Sequence, residues 1–580
     1  MDQTNEQLQL RIRELEKEVA RLHTQIKKER YGLVWLDVPE GFERESENQI
    51  PVLEEVKDKA IKNDDGKPTH IIIEGDNFHA LTCLNYTHKG KIDVIYIDPP
   101  YNTGSDGFTY KDKRFLKEFP DGSPVPKDHP LRHSYWLSFM SKRLELAKNL
   151  LSDKGVIFIS IDDNEQANCK LLCDKIFGEE KFVATFPWRK RTAKADVPFG
   201  ISQDYEWVIC YAKSKFYAAI DGKERKYYIT NDFPNKPWRF HDLTKQTTIQ
   251  ERPNSNFSMI NPKNGEEFPV NPLRSWAITK ETFDSYYKEN RIIFPGDYDF
   301  LKITKPVLRY WKEDDEKKAQ RNFGQIAATT FLSQEVGMTQ DGTKEITDLF
   351  GDKKFAFPKP SSLISYYIKI ATARNKSSII LDFFAGSGTT LHATMKLNAE
   401  DGGNRQCILV QQKEGDKNIC ESVTYERNKR VINGYTNAKG ETVPGLGNSL
   451  KYYRTAFVGK NPPRRATDYD KAELSKKAGC LLALAENTLE EIEASNSYQI
   501  FSDGKNHYTG VYFTGRLSEI ETFTQKLENI RNQNRRIKIT AYFFCWGDCA
   551  QFEDEFTSLE RISLQPIPKP ILDIYQSINR

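Results

Sequence analysis

The sequence predicts a doubly wound α/β protein with a mostly parallel sheet. From His70 onward, short apolar runs typical of buried strands alternate with amphipathic helical segments. The alternation stops between about Lys215 and Gly342 and returns at Phe355, so two separate stretches of chain are expected to build one sheet around an insert. The predicted strands are apolar throughout, as expected when helices cover both faces of a parallel sheet.

The elements of the first stretch are predicted one by one. A strand at 70–73 precedes a helix around Ala80–Leu84, and a second strand spans 92–97. A helix at 134–151 leads into a strand at 155–161, after which Asp162-Asp163-Asn164 caps a helix that ends at Phe177. The second stretch contributes strands at 378–383 and 406–410. Near the carboxyl end of the chain, strands at 510–513 and 537–545 flank a helix at 517–530.

Composition and length narrow the class of protein. At 580 residues, the chain is too long for a single hydrophobic core. Its net charge is only +3, so a nucleic-acid surface would be a local patch. No apolar stretch reaches membrane-spanning length. The nine cysteines are scattered without clustered histidines, which predicts no metal site and reduced thiols. We therefore expect a cytoplasmic protein that does not associate with membranes.

Changes of pattern along the chain predict six segments. In residues 1–30, apolar side chains recur at alternating steps of four and three, typical either of a three-heptad coiled coil that forms a homodimer or of one amphipathic helix on its own body. The region after Lys215 is rich in Pro, Asn, aromatic and basic residues. After the 1–30 helix, the predicted segments are a connector (31–69), the first half of the core (70–214), the insert (215–345), the second half of the core (346–455) and a small C-terminal α/β domain (456–580).

The most informative motif is Asp98-Pro99-Pro100-Tyr101, which directly follows the strand 92–97. Two prolines cannot continue a strand ladder, so the chain must leave the sheet in a rigid loop. This loop places a carboxylate, a carbonyl and an aromatic face together at the carboxyl end of a strand. These groups can hold an exocyclic amino group and stack on its flat base. A turn that only ends the strand is the alternative interpretation.

A second motif, Asp382-Phe383-Phe384-Ala385-Gly386-Ser387-Gly388-Thr389-Thr390, joins a strand to a helix through a tight turn. Gly386 and Gly388 let the backbone approach a ligand, and the start of the helix offers free N–H groups. A lone Gly-x-Gly could also bind a dinucleotide. The missing third glycine, the acid before the turn and the presence of the Asp98 loop argue against that interpretation.

These motifs resemble those of amino-methylating DNA methyltransferases. The chain is similar over nearly its whole length to the modification subunit of type III restriction–modification systems, a β-group adenine-N6 DNA methyltransferase. The catalytic loop comes first, the insert second and the cofactor turn last, which is the circularly permuted order of that group. Other matching stretches are Ile73-Glu74-Gly75-Asp76-Asn77, 133–140, 160–166, Phe357-Pro358-Lys359-Pro360 and 566–572.

The resemblance implies a Rossmann-like methyltransferase sheet with an inserted target-recognition domain. It implies S-adenosyl-L-methionine as cofactor, double-stranded DNA as substrate, and a separate restriction helicase–nuclease subunit as partner, since no Walker-type loop is present. The target adenine would be extruded into a pocket. The catalytic residues implied are Asp98, Pro99, Pro100 and Tyr101, and the cofactor-binding residues implied are Asp76, Asn77, Lys359, Asp382, Phe384, Ala385, Gly386, Gly388, Thr389 and Glu414.

Three of these residues have equally simple structural interpretations. Asp76 is also a good helix N-cap. Glu414 lies in an unusual Gln-Gln-Lys-Glu context where the family pattern has an apolar residue or proline before the acid, so it is also explained as a solvated acid at a strand end. Lys359 is predicted to hold cofactor or target groups, but Phe-Pro-Lys-Pro is also a rigid connector.

Other functions remain open at this point. Cytosine-N4 methylation uses similar geometry, commonly with a Ser-Pro-Pro-Tyr loop. A non-catalytic DNA-binding subunit and an RNA methyltransferase are further alternatives. Arg239, Arg252, Arg274 and Arg309 of the insert are candidates for contacts to guanine edges or phosphates, without a choice among them.

Overall fold

A computed structural model gives the fold of this protein. It describes residues 33–38, 49–104, 114–119, 122–192, 199–221, 225–319, 324–413 and 418–578. The predicted N-terminal coiled coil lies outside the described residues. The described residues divide into two compact units, one within 219–328 and the other formed by the described residues on either side of it. Among the described residues, no helix combines the length and apolar character needed to cross a membrane.

A nine-stranded sheet forms the centre of the larger unit within the described residues. Its spatial order is β1-β9-β2-β8-β7-β3-β4-β6-β5, with parallel pairing from β9 to β4 and antiparallel pairing at both ends. In chain order the strands are β1 (Ile50–Glu55), β2 (Thr69–Glu74), β3 (Ile92–Ile97), β4 (Leu151–Ile161), β5 (Phe182–Arg189), β6 (Tyr205–Ala212), β7 (Ile379–Asp382), β8 (Gln406–Gln411) and β9 (Ser449–Val458). The prediction of a mostly parallel doubly wound sheet is confirmed.

Helices cover both faces of this sheet. Ile95 and Ile97 of β3 share a core cluster with Trp136 of the second helix, whereas the intervening Tyr96 stacks on Tyr367 of the fifth helix with ring centroids 6.4 Å apart. Because alternate side chains of a strand point to opposite faces, these two helices lie on opposite sides of the sheet. The helices of the larger unit are α1 (Asn77–Thr87), α2 (Ser134–Leu150), α3 (Gln166–Phe177), α4 (Thr339–Phe350), α5 (Ser361–Thr372), α6 (Thr389–Asp401), α7 (Glu426–Asn433), α8 (Asp468–Lys477), α9 (Gly479–Glu486), α10 (Ile520–Gln533) and α11 (Lys569–Ile578).

The direction of winding reverses between β3 and β7. The chain leaves β7 through α6 to reach β8 on one side, and it leaves β3 through α2 to reach β4 on the other. The two strands themselves pair in parallel through Ile380 with Val94 and Leu381 with Ile95. A crevice at the carboxyl ends of the strands is expected at such a reversal, and ligands of open α/β sheets bind there. Asp98 and Asp382 stand at these two strand ends.

The C-terminal segment packs on the core instead of standing apart. It forms a five-stranded sheet with order β10-β11-β12-β13-β14. Leu482 of α9 and Leu572 of α11 share one core cluster with Leu84 of α1, and the Tyr575 hydroxyl donates to the Cys83 sulfur at 3.4 Å. These apolar contacts place residues 456–578 in the larger unit. The strands are β10 (Glu490–Ala494), β11 (Tyr498–Ser502), β12 (His507–Tyr512), β13 (Lys538–Phe544) and β14 (Ile562–Ile567).

Two further boundaries differ from those predicted. The connector predicted over 31–69 contributes the edge strand β1, which pairs antiparallel with β9. The insert is shorter than the predicted 215–345, because α4 lies in the larger unit, where Gly342 packs against the Pro358 backbone. All nine cysteines are free thiols, and eight are buried.

The insert, residues 219–328, has its own mixed structure. Its four-stranded antiparallel sheet contributes residues to two small clusters of aromatic and aliphatic side chains. One cluster contains Trp238 and the other contains Trp276. That sheet consists, in spatial order, of Ile292–Ile293, Val307–Trp311, Phe233–Asp242 and Tyr228–Thr230. The insert helices are Lys280–Lys288 and Lys312–Ala319, and short two-stranded pairs join Ile220–Asp221 with Gln325–Ile326, Thr244–Lys245 with Ser275–Trp276, and Met259–Ile260 with Glu267–Phe268.

Candidate active site

A cavity of about 450 Å³ opens where β3 and β7 end. Asp98 and Tyr101 line it from one side, and Asp382, Phe384 and Gly386 from the other. The two motifs are far apart in the sequence, but their strands are direct neighbours in the sheet. A ligand in this cavity would therefore contact both motifs at once.

The Asp98 loop is fixed by buried polar contacts. The Trp136 indole donates to the Pro100 carbonyl at 2.7 Å. Asn102 is buried in a left-handed conformation, with φ of 59°, which asparagine tolerates better than most residues. Its amide donates to Glu165 at 2.5 Å. Glu165 also contacts His133 at 2.6 Å, and this bond raises the pKa of His133. His133 therefore supports the loop from outside the cavity lining.

Four ionisable side chains meet beside this loop. The Lys359 ammonium donates to the two Asp98 carboxylate oxygens at 2.9 and 2.8 Å and to the Tyr101 hydroxyl at 2.8 Å. It lies 3.4 Å from Glu206 Oε2. The Tyr101 hydroxyl is 2.7 Å from Asp98 Oδ1 and 3.1 Å from Glu206 Oε2. Lys359, predicted to hold cofactor or target groups, therefore hydrogen-bonds to the Asp98 loop in this structure, and it lines the same cavity as Gly386.

Burial and neighbouring charges shift the pKa values of Lys359, Glu206 and Tyr101. Burial lowers the pKa of Lys359, but Asp98 and Glu206 outweigh it and the net shift is upward. Burial raises the pKa of Glu206, but Lys359 and Lys190 outweigh it and the net shift is downward. Burial and the two nearby carboxylates raise the pKa of Tyr101 well above its usual range. At neutral pH the site therefore holds a charged lysine, a charged Glu206 and a neutral phenol.

The glycine turn brings the backbone close to its neighbours. Gly388 has φ of 75°, and a Cβ there would lie 2.5 Å from Asn428 Nδ2 and 3.0 Å from the Thr424 carbonyl. Gly386, with φ of 50°, donates its N–H to Gln411 Oε1 at 2.7 Å. Only glycine combines these conformations with such close packing. The turn thereby places the amino end of α6 against the cavity.

Asp382 is buried beside this turn. Among the described residues, its hydrogen-bond donors are a backbone N–H and a hydroxyl, and neither is basic. It accepts from the Phe384 N–H at 2.9 Å and from the Thr390 hydroxyl at 2.5 Å. Burial raises the pKa of Asp382 to about 7, although both bonds lower it. The carboxyl group thus stands at the midpoint of its titration at neutral pH and would ionise beside a bound cation.

The other predicted cofactor residues take different positions. Asp76 caps α1 by accepting from the Phe78 N–H at 2.8 Å, the structural alternative considered for it. Its neighbour Asn77 lines the cavity and donates to the Phe383 carbonyl at 3.0 Å. Thr389 also lines the cavity, at the start of α6, and accepts from Arg427 at 2.7 Å. Glu414 lies outside the described residues.

Several site residues were missed from the sequence. Glu206 and Lys190 line the cavity from the β5–β6 hairpin, and Gln411 lines it from the end of β8. The signal for Glu206 is its position between Tyr205 and the apolar run Trp207-Val208-Ile209-Cys210, where a solvated acid is not expected. Arg427 is fully buried and holds the turn through Thr389 and Glu345.

Two of the insert arginines have structural partners inside the insert. Arg239 makes a bidentate bond to Asp315 at 2.5 and 2.9 Å. Arg309 is buried, with its guanidinium 4.6 Å from the ring centroids of Phe233 and Trp238. Both guanidinium groups are therefore held by contacts within the insert. Arg274 makes a longer contact, 3.4 Å, to Asp242 and is partly exposed.

Replacing Trp136 with Phe is expected to destabilise the larger unit by about 2–3 kcal/mol. The change leaves the Pro100 carbonyl without its donor and opens a small gap, and both effects are costly in a buried site. Urea denaturation measures the loss. Trp546→Phe is the matched control because Trp546 is 59% exposed. Equal stability of the two variants would show that this bond does not hold the loop.

The fold and the cavity place this protein among the doubly wound α/β proteins, whose ligands bind where the strand order reverses. Comparisons with known proteins identify the family. A family model described as DNA methylase matches residues 92–437, more than half of the chain. The type II methyltransferase M.KpnI of Klebsiella pneumoniae is 31% identical over 412 residues, 66% of this chain and 90% of that protein. This chain belongs to the DNA methylase family.

Two type III relatives are also similar. The StyLTI Mod subunit of Salmonella typhimurium is 35% identical over 421 residues, which are 68% of this chain and 61% of the relative. The EcoPI Mod subunit of Escherichia phage P1 is 32% identical over 437 residues, 67% of this chain and 65% of the relative. The matches therefore span less than two thirds of the length of these two relatives.

Proposed function

We propose that this protein transfers a methyl group from S-adenosylmethionine to N6 of adenine in duplex DNA. The observation that carries the proposal is the shared cavity, in which the Asp98 loop faces the Asp382 turn. Family membership supports methyl transfer to DNA. The Asp-Pro-Pro-Tyr form of the loop favours adenine over cytosine.

The Asp98 loop supplies groups suited to an extruded adenine. The Asp98 carboxylate and the Pro99 carbonyl would accept the two N6 hydrogens and leave the nitrogen lone pair less delocalised into the ring. Tyr101, partly buried at the cavity wall, offers a face for stacking, worth about 1–3 kcal/mol per base. Holding the nitrogen in line with the methyl group supplies much of the remaining rate.

The glycine turn suits a cofactor of the size and charge of S-adenosylmethionine. Gly386 lines the cavity without a side chain, Gly388 lets the turn pack against Asn428 and Thr424, and Phe384 and Ala385 add apolar surface. Asp382 offers a carboxylate to the positive methionine moiety, and the amino end of α6 offers N–H groups. The bound cofactor would supply a methyl group on a positively charged sulfur, already a strong electrophile.

We further propose that the chain is the modification and specificity subunit of a type III restriction–modification system. Its relatives StyLTI and EcoPI are named Mod subunits of such systems. The insert is the candidate for target recognition, and a separate helicase–nuclease subunit would cut the DNA. A homodimer formed through residues 1–30 is part of this proposal.

Sequencing that detects methylated bases, applied to DNA from cells expressing this chain, tests the function. The expected result is N6-methyladenine at one short motif, absent from cells that express Asp98→Asn. Mass spectrometry of the nucleosides separates the alternatives. N4-methylcytosine without methyladenine would overturn the assignment to adenine, and no modified base in DNA would overturn the proposal itself.

Cofactor affinity is expected to rise with pH up to about 7. Asp382 is protonated below its pKa of about 7 and must lose this proton to pair with a cation. The dissociation constant should therefore fall about tenfold per pH unit below 7 and level off above it. Calorimetry with S-adenosylmethionine from pH 5.5 to 7.5 measures the trend, since the cofactor amine titrates higher, near 8.

Asp382→Asn is the control for this titration. It should bind more weakly and lose the pH dependence over the same range, since its amide does not titrate. A pH dependence that survives unchanged in Asp382→Asn would assign it to another group.

A further inference from the structure

The bonds of Lys359 raise a problem for the proposed reaction. Both carboxylate oxygens of Asp98, the residue that would accept the amino hydrogens of the target base, already accept from the Lys359 ammonium. A positive charge 2.8 Å from this carboxylate weakens its pull on the amino hydrogens. It also opposes the positive charge that develops on the target nitrogen during transfer. The lysine must therefore be drawn away when the base enters.

A second carboxylate stands next to this ammonium. Glu206 Oε2 lies 3.4 Å from Lys359 Nζ, and the Tyr101 hydroxyl lies between the two acids, within 3.1 Å of each. Both Lys359 and Glu206 are almost fully enclosed, with side chains 8% and 12% exposed. A small rotation of the lysine would exchange one carboxylate for the other without moving the charge into solvent.

We propose that Glu206 is a positioning residue that takes the Lys359 ammonium from Asp98 when the target base enters, which frees Asp98 to hold the amino group. This inference rests on the proposed function. Glu206 touches neither base nor cofactor in this role and acts through Lys359. Lys190, 3.3 Å from Glu206 Oε1, keeps Glu206 charged and available in either state.

The opposite charges of Lys359 and Glu206 explain why the proposed exchange needs both residues. Without Lys359, Asp98 and Glu206 would be like charges that share one enclosed site, which raises the proton affinity of one of them. Without Glu206, the lysine would have only Asp98 as a carboxylate partner, and the incoming base would have to compete with a buried ion pair.

A double-mutant cycle on methyl transfer tests the inference. The substrate is an unmodified duplex that carries the motif found by sequencing. Glu206→Gln is expected to lower kcat about a hundredfold, the size of loss for a misplaced catalytic group. Its affinity for S-adenosylmethionine should be unchanged. In a Lys359→Met background, where Lys190 still faces Glu206, the same Glu206→Gln change should alter kcat less than about threefold, because the lysine that Glu206 would draw from Asp98 is absent.

Three controls keep the result interpretable. Glu180→Gln changes a surface glutamate that is 71% exposed and should leave kcat unchanged. Glu206→Asp keeps the carboxylate and should retain most of the activity if charge is what matters. Glu206→Met, which also removes the charge, replaces Glu206→Gln in the cycle if the latter does not fold. Thermal unfolding of each variant separates lost structure from lost positioning.

Two results would overturn the inference. One is wild-type kcat in Glu206→Gln, and the other is an equal loss with and without Lys359, as expected if Glu206 only supports the fold. A wild-type protein that methylates no adenine would instead refute the proposed function, so the two failures are distinguishable.

Discussion

Asp98→Asn is expected to abolish methyl transfer, with a loss of about a thousandfold or more. The amide lacks the negative charge that draws on the amino hydrogens, and its own N–H₂ can point a donor at the amino group. Lys359 would keep Glu206 and Tyr101 as partners, so the cavity should hold its shape. Methyl transfer from radiolabelled cofactor into duplex DNA measures the effect, and calorimetry should show unchanged cofactor affinity.

The matched control is Asp153→Asn, an exposed acid near the amino end of β4, far from the cavity lining. It should leave the rate at the wild-type value. More than a tenth of wild-type activity in Asp98→Asn would contradict the role given to this carboxylate.

Gly342→Ala is expected to lower the methyl-transfer rate about a hundredfold and to destabilise the larger unit by about 2–3 kcal/mol. A Cβ at Gly342 would lie 2.2 Å from the Pro358 carbonyl oxygen and 2.9 Å from the Lys359 carbonyl carbon. These are backbone atoms, so the 357–360 segment itself must shift and would carry Lys359 away from Asp98. The helix-propensity gain of alanine, about 1 kcal/mol, is too small to compensate.

Gly547→Ala serves as the control, because a Cβ there meets nothing within 4 Å. Its stability and rate should match those of the wild type. If Gly342→Ala behaved in the same way, α4 would not set the position of the lysine.

The sheet and both motifs could be predicted because their signals are local. An apolar run followed by two prolines, or by glycines and a helix, specifies its own structure. The carboxyl ends of parallel strands then meet at one edge, which brings Asp98 and Asp382 together without further information.

Glu206 could not be placed in the same way. It is the second residue of β6, which inserts antiparallel between β4 and β5, and this pairing depends on tertiary contacts that the strand pattern does not encode. The position of Lys359 depends on how α4 packs against the 357–360 segment. The packing of α9 and α11 against α1 could not be predicted for a related reason: these helices are remote from α1 in the sequence and meet it only in the folded core.

The insert begins and ends at one place. Ile220–Asp221 pairs antiparallel with Gln325–Ile326, so the two chain ends of this unit run side by side. A segment with adjacent ends can be exchanged without stretching the chain that holds it. Under the proposed function, replacing residues 219–328 with an insert from a related protein would change the DNA sequence that is recognised, and the residues that line the cavity would stay the same.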